Sequence, residues 1–151
     1  MIQRKQTLFL FQLIFLGITL LFISSNTVDT ASGNTEVFLI PIKNDLFNST
    51  LGHMAAIALN FIGLILTFTT IFLYKNRDLQ VKLCYVLIVL WLLIGLMIAF
   101  CPFVTKNENI LSVNIHYFAC LIALFAIVAA YFAAKFIKKD IELLKSVDRI
   151  R

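Results

Sequence analysis

The charged residues of this 151-residue chain leave four long stretches empty. Its 13 basic and 8 acidic side chains cluster so that residues 6–28, 46–74, 83–105 and 109–134 carry none. An α-helix needs about 20 consecutive apolar residues to cross the hydrocarbon core of a bilayer, and each stretch exceeds that. The apolar runs inside them place spans at about residues 7–24, 52–74, 83–101 and 113–134. A closed β-barrel is the other way to satisfy backbone groups in lipid, but its strands alternate in polarity over about 10 residues. The run from Leu83 to Leu93 is instead apolar on every side. Composition agrees, with 61% hydrophobic and 14% charged residues against about a quarter charged in soluble domains. The expected fold class is all-α, one membrane domain over residues 1–151 built as a bundle of four transmembrane helices. A soluble enzyme, a disordered tail and a disulfide-stapled secreted domain are excluded.

The basic residues orient the spans. Arg4 and Lys5 precede the first, Lys75, Arg77 and Lys82 fall between the second and third, and six follow the fourth (Lys135, Lys138, Lys139, Lys145, Arg149 and Arg151). The other two loops hold Lys43 and Lys106. Lys and Arg accumulate on the cytoplasmic side of a membrane, so both termini are expected there and the loop over 25–51 outside. The net charge of +5 follows from this topology and from attraction to anionic lipid heads, and gives no reason to invoke nucleic acid. Arg4, Lys5 and the apolar core from Leu8 to Ile23 also resemble a signal peptide, but no A-x-A-like site follows and the apolar run is long for one. The first span is expected to stay uncleaved.

In the outer loop, Asn26 to Asn34 has the Thr, Ser, Asn, Asp and Gly content of irregular surface chain. The stretch from Glu36 to Ile42, apolar and β-branched with Pro41 near its end, suits a short edge strand or a segment hugging the interface. Pro102 is placed to help end the third span. The tail over 135–151 has Phe136, Ile137, Ile141, Leu143, Leu144, Val147 and Ile150 on about half of a helical wheel, with Lys138, Glu142, Lys145 and Arg149 opposite. The fourth span is therefore expected to continue as a cytoplasmic amphipathic helix lying on the membrane or on a partner.

An ionisable residue inside a membrane is the default functional flag, and the four spans contain no Asp, Glu, Lys or Arg. That argues against a proton relay, pump or voltage sensor. Gln12 and Asn60 are expected to act as hydrogen-bonding glue between helices, and Thr67, seven residues after Asn60, shares its face. Thr69 and Thr70 complete a threonine cluster. Ala119, Ala123, Ala126, Ala130 and Ala134 give the fourth span small-residue spacing for close helix approach, within the bundle or in a homo-oligomer. His53, His116 and Cys120 are the sharpest metal or haem candidates, His116 and Cys120 being four apart on one face. The set lacks a fourth ligand and any carboxylate, so no metal and no cofactor is expected. Cys84, Cys101 and Cys120 read as apolar filler rather than a disulfide framework.

The two ends carry a resemblance. The opening Met1–Ile2–Gln3–Arg4 and the closing Ile137–Lys138–Lys139–Asp140, Leu143–Leu144, Ser146 and Asp148–Arg149–Ile150–Arg151 resemble a four-helix integral membrane family of Bacteroidota known as a domain of unknown function. In that family an acidic residue follows the Asp of the tail motif, whereas here Ile141 stands there and Glu142 comes one later. The resemblance implies a bacterial inner-membrane protein and adds no activity, cofactor or partner. By topology both ends share the cytoplasmic face, so Gln3 and Arg4 are placed to meet Asp140, Glu142, Asp148 or Arg149 in one contact surface.

These readings converge on a non-enzymatic accessory or scaffold protein of the inner membrane, with the lipid bilayer and a membrane-protein partner or second copy around it. The alternatives are a protein that binds or passes a lipid, quinone or apolar solute, and a metal or haem subunit through His53 and His116.

Overall fold

Helices form where the charges are missing. The computed structural model describes residues 3–30, 33–38, 51–104, 110–115 and 117–148. Its helices are α1 (Gln3–Phe22), α2 (Leu51–Phe72), α3 (Arg77–Val104) and α4 (Tyr117–Asp148). Three of them hold stretches long and apolar enough to cross a membrane: Ala55–Phe72, Arg77–Phe100 and Tyr117–Ser146. The apolar stretch of α1, Gln6–Phe22, is shorter. A tight turn joins α2 to α3, closed by the Asn76 N–H donating to the Leu73 carbonyl at 3.1 Å. Asn is favoured just before a helix, and Asp78 in the first turn of α3 faces the positive end of the helix dipole.

The helices pack in chain order around a ring, α1 and α3 each lying against both α2 and α4. Every helix turns one seam inward, with residues spaced alternately three and four apart. In α1 the seam is Gln6, Leu10, Leu13, Gly17 and Leu20, and in α2 it is Ala56, Asn60, Gly63, Thr67 and Thr70. In α3 it is Gln80, Cys84, Leu87, Trp91, Ile94 and Ile98, and in α4 Ala119, Ala123, Ala126, Ala130, Ala133, Ile137 and Asp140. A 3.5-residue repeat keeps such a seam facing its neighbours when helices supercoil left-handedly. Bulk alternates around the ring: α1 and α3 present Leu, Ile and Trp, and α2 and α4 present Ala, Gly, Asn and Thr. Small residues stand where helices approach closely, Gly63 against Leu90 and Gly95 against Ala123, as they do between helices where no hydrophobic drive acts. Gly17 sits at the tightest point, where an added Cβ would lie 2.7 Å from Leu64 and 3.5 Å from Trp91.

The opposite surface is greasy. Large apolar side chains stand exposed along each helix, Phe15 at 69% and Phe22 at 63% on α1, with Phe61, Ile65, Phe68 and Phe72 on α2, Val89 and Phe100 on α3, and Phe118 and Phe125 on α4. A soluble molecule of this size does not expose apolar patches so extended.

The fold is not wholly helical. A three-stranded antiparallel sheet, with β1 (Ser24–Thr30), β2 (Gly33–Phe38) and β3 (Ile110–Ile115) in the order β2-β1-β3, joins the two loops that share a side. Thr27 of β1 lies opposite Glu36 of β2 and Asn114 of β3. The sheet is an addition to the expected helical bundle. It also moves residues 26–30 from irregular chain to the central strand, and residues 113–115 from the fourth span to β3. The β-branched Thr27, Val28 and Thr30 support the strand, which pairs on one side with β2 in a local hairpin and on the other with residues 80 or more positions away. The expected edge strand is present as β2; Leu39 to Ile42 lie outside the described residues. At the other boundaries α3 runs two residues past Pro102, and α4 continues without a break to Asp148.

Candidate functional site

The four seams end in the same way at one end of the molecule, where the start of α1, the α2–α3 turn and the far part of α4 lie together. The last seam residue is polar in every helix: Gln6, Thr70, Gln80 and Asp140, all buried. Two hydrogen bonds tie this layer. The Gln6 amide Nε2 donates to the Asp140 carboxylate Oδ2, linking α1 to α4. Gln80 Nε2 donates to the Thr70 carbonyl at 3.0 Å, linking α3 to α2. That carbonyl belongs to the last turn of α2, where no intrahelical donor remains, so the Gln80 side chain satisfies a group the helix itself cannot. Phe9 reinforces the α1–α4 contact one turn away, stacking on Phe132 and Phe136 at centroid distances of 5.7 and 5.5 Å.

Toward the middle of the core lies a second polar spot. Asn60 Nδ2 donates across to the Gly17 carbonyl of α1 at 3.5 Å, a long hydrogen bond. Its Oδ1 and the indole Nε1 of Trp91 are both buried with no hydrogen-bond partner among the described residues. The threonines nearby are satisfied on their own helix: Thr67 Oγ1 donates to the Gly63 carbonyl at 2.7 Å and Thr70 Oγ1 to the Leu66 carbonyl at 2.6 Å. Such back-bonding is the usual way a hydroxyl is accommodated in an apolar helix.

The outer face of α4, beyond the apolar stretch that ends at Ala134, carries Lys135, Lys138 and Lys139, all exposed. Lys138 Nζ lies 5.1 Å from the centre of the Tyr85 ring of α3, within cation–π reach.

Several sequence candidates land elsewhere. Gln12, expected as glue between helices, is exposed on the outward face of α1, because the seam passes through Leu10 and Leu13. Asn60 and Thr67 do share the α2 seam, and Asn60 makes the cross-helix bond. Asp140 faces inward to Gln6, which withdraws it from any external contact surface, while Glu142 is exposed. The side chains of Gln3, Arg4 and Asp148 and all of Arg149 lie outside the described residues, as do the side chain of His53 and all of His116. Cys120 is half-buried on α4. Among the described residues no group of three His, Cys, Asp or Glu side chains is placed to hold a metal ion. The alanine row of α4 is consumed inside the molecule, packed against α1 and α3. Gln6, Gln80 and Trp91 were not singled out from the sequence. Once packing against the neighbouring helices fixes each seam, the first two fall on its three-four extension.

No curated protein and no solved structure matches the chain. The model of one family, the domain of unknown function DUF4293, matches residues 2–150, nearly the whole length, and the chain belongs to that family.

Proposed function

We propose that the protein is a four-span subunit of a bacterial inner membrane, both termini cytoplasmic, that associates with another membrane-spanning segment through the outward face of α1. The fourth span follows from how α1 is pinned. Its start is tied to Asp140 by Gln6, and its end runs into β1, which pairs with β3 just before α4. Helix α1 thus accompanies α4 over the whole apolar length of the latter, and a membrane that contains α4 contains α1. Among the described residues, nine basic ones on the side of the polar layer (Arg4, Lys5, Lys75, Arg77, Lys82, Lys135, Lys138, Lys139 and Lys145) favour placing that side in the cytoplasm.

The partner role rests on Gln12. It is exposed midway along α1, among the exposed Leu8, Phe11 and Phe15. An amide facing lipid there is costly unless another helix hydrogen-bonds it, a contact of about 0.6–2 kcal/mol. The buried Gln6, Gln80 and Asn60 side chains, by contrast, already tie helix to helix inside the molecule. Light scattering on the protein extracted from its native membrane in mild detergent tests the reading. The expected particle exceeds one 17.2 kDa chain and falls to a single chain in Gln12→Leu. A single chain for the native protein, or an unchanged particle in Gln12→Leu, contradicts it.

A second reading, binding of a small solute between helices, is supported by the unpartnered Asn60 Oδ1 and Trp91 Nε1.

A further inference from the structure

We propose that the groove on the outer face of α4 is a binding site for the headgroup of an anionic phospholipid. The groove, of about 550 Å³, runs between α3 and α4 and is lined by Tyr85, Tyr131, Lys135, Lys138, Lys139 and Glu142. Tyr131, Lys135, Lys138 and Glu142 fall at successive turns of α4, so the polar lining passes from a phenol to ammonium groups along the helix axis, while Phe132, Ala134 and Phe136 form its apolar part. This order matches a bilayer interface, where Tyr sits at headgroup level and Lys stems lie along apolar surface with the ammonium in water. Three lysines against one glutamate leave the groove cationic, and an anionic phosphodiester is the complement.

The occupant is a lipid rather than a soluble phosphate because of what continues the groove. Below Tyr131 the same face of α4 exposes Leu124, Phe125 and Val128, an apolar track for acyl chains. Tyr85 is already engaged by Lys138 at 5.1 Å, which holds one ammonium at the mouth and leaves Lys135 one turn deeper to take the phosphate from the membrane side. The site rests on the membrane-spanning reading above and is independent of the partner role of Gln12.

The test is native mass spectrometry of the full chain in detergent, titrated with phosphatidylglycerol or with zwitterionic phosphatidylethanolamine. One variant carries Lys135→Gln, Lys138→Gln and Lys139→Gln; a control carries Lys75→Gln, Arg77→Gln and Lys82→Gln in the turn on the same side. All six residues lie outside the buried seams, and the emission of Trp91, the single tryptophan, reports whether each variant keeps its core. A lysine near an anionic surface is worth about fivefold in binding, so the groove variant is expected to lose on the order of a hundredfold in affinity for the first phosphatidylglycerol. The control is expected to change it by less than about tenfold. Equal loss in both variants, or none in the groove variant, overturns the site. Displacement by excess inorganic phosphate assigns the groove to a soluble phosphate and overturns the lipid. Resistance of the chain to alkaline carbonate extraction is scored in parallel, so that failure of the membrane reading is distinguished from failure of the lipid site.

Discussion

Replacing Gln6, itself 7% exposed, by Leu removes the donor from the carboxylate of Asp140, a residue only 5% exposed. A hydrogen bond to a charged group contributes about 1.5–3 kcal/mol, and removing one partner leaves the other buried and unsatisfied. Measured cycles in membrane proteins run lower, averaging about 0.6 with a maximum near 1.7 kcal/mol, because the unfolded chain in the membrane also finds partners. The Gln6–Asp140 pair lies at the end of the core, beyond the apolar stretch of α4, so the expected loss for Gln6→Leu is about 1.5–2 kcal/mol. Asp140→Leu orphans the Gln6 amide and is expected to cost about 1 kcal/mol or more. The double variant, with both positions apolar, is expected to be more stable than Gln6→Leu alone, since replacing both partners can be nearly neutral. Equilibrium unfolding in mixed micelles, followed by Trp91 emission, gives the three differences. A coupling of about 1 kcal/mol or more supports the tie between α1 and α4. Single-variant losses that add to within about 0.5 kcal/mol, as independent sites do, would refute it.

Further outcomes follow from the seams. Gly17→Val places branched carbons where a single Cβ already lies 2.7 Å from Leu64, so a loss of about 1–3 kcal/mol is expected from overpacking, together with a shift of Trp91 emission; an unfolding midpoint equal to the native one would contradict the close approach. Ala130→Leu, at a fully buried seam position, is expected to lower the midpoint by a similar about 1–3 kcal/mol, whereas Val128→Leu on the exposed face is expected to stay within about 0.5 kcal/mol. Gln80→Leu removes the donor to the Thr70 carbonyl and is expected to cost about 0.6–1.7 kcal/mol in the same titration. Trp91, fully buried, is expected to emit at short wavelength and to resist quenching by iodide in the folded protein, and ready quenching would place it outside the core.

The helices were legible because charge is costly in lipid and the chain keeps it out of four stretches. Which face of each helix turns inward was harder to read. A membrane helix that is apolar on every side offers no amphipathic phase, so nothing local distinguishes Gln12 from Gln6; the seam through Leu10, Leu13 and Gly17 decides, and it needs the neighbouring helix. Only α4 announced its face, through alanines at three-four spacing. Asp140 was legible as a residue of the tail that the N-terminus could meet, but its burial was not, because a charge six residues past the last apolar run reads as solvated. The sheet was hidden for a different reason. Asn26, Thr27 and Asp29 have the composition of loop, and β1 is a strand through pairing on both sides, with β2 in a local hairpin and with β3 far along the chain.

Both ends of α1 bear on the central claim, that all four helices cross the membrane and bring the two termini to one side. Cysteine accessibility in intact cells tests it, with Cys84, Cys101 and Cys120 first replaced by Ser and single cysteines introduced as Gln3→Cys, Thr27→Cys or Ser146→Cys. The account predicts that a membrane-impermeant maleimide labels position 27 in intact cells and positions 3 and 146 only after permeabilisation. Labelling of positions 3 and 146 from opposite sides would remove α1 from the membrane-crossing set and contradict the account.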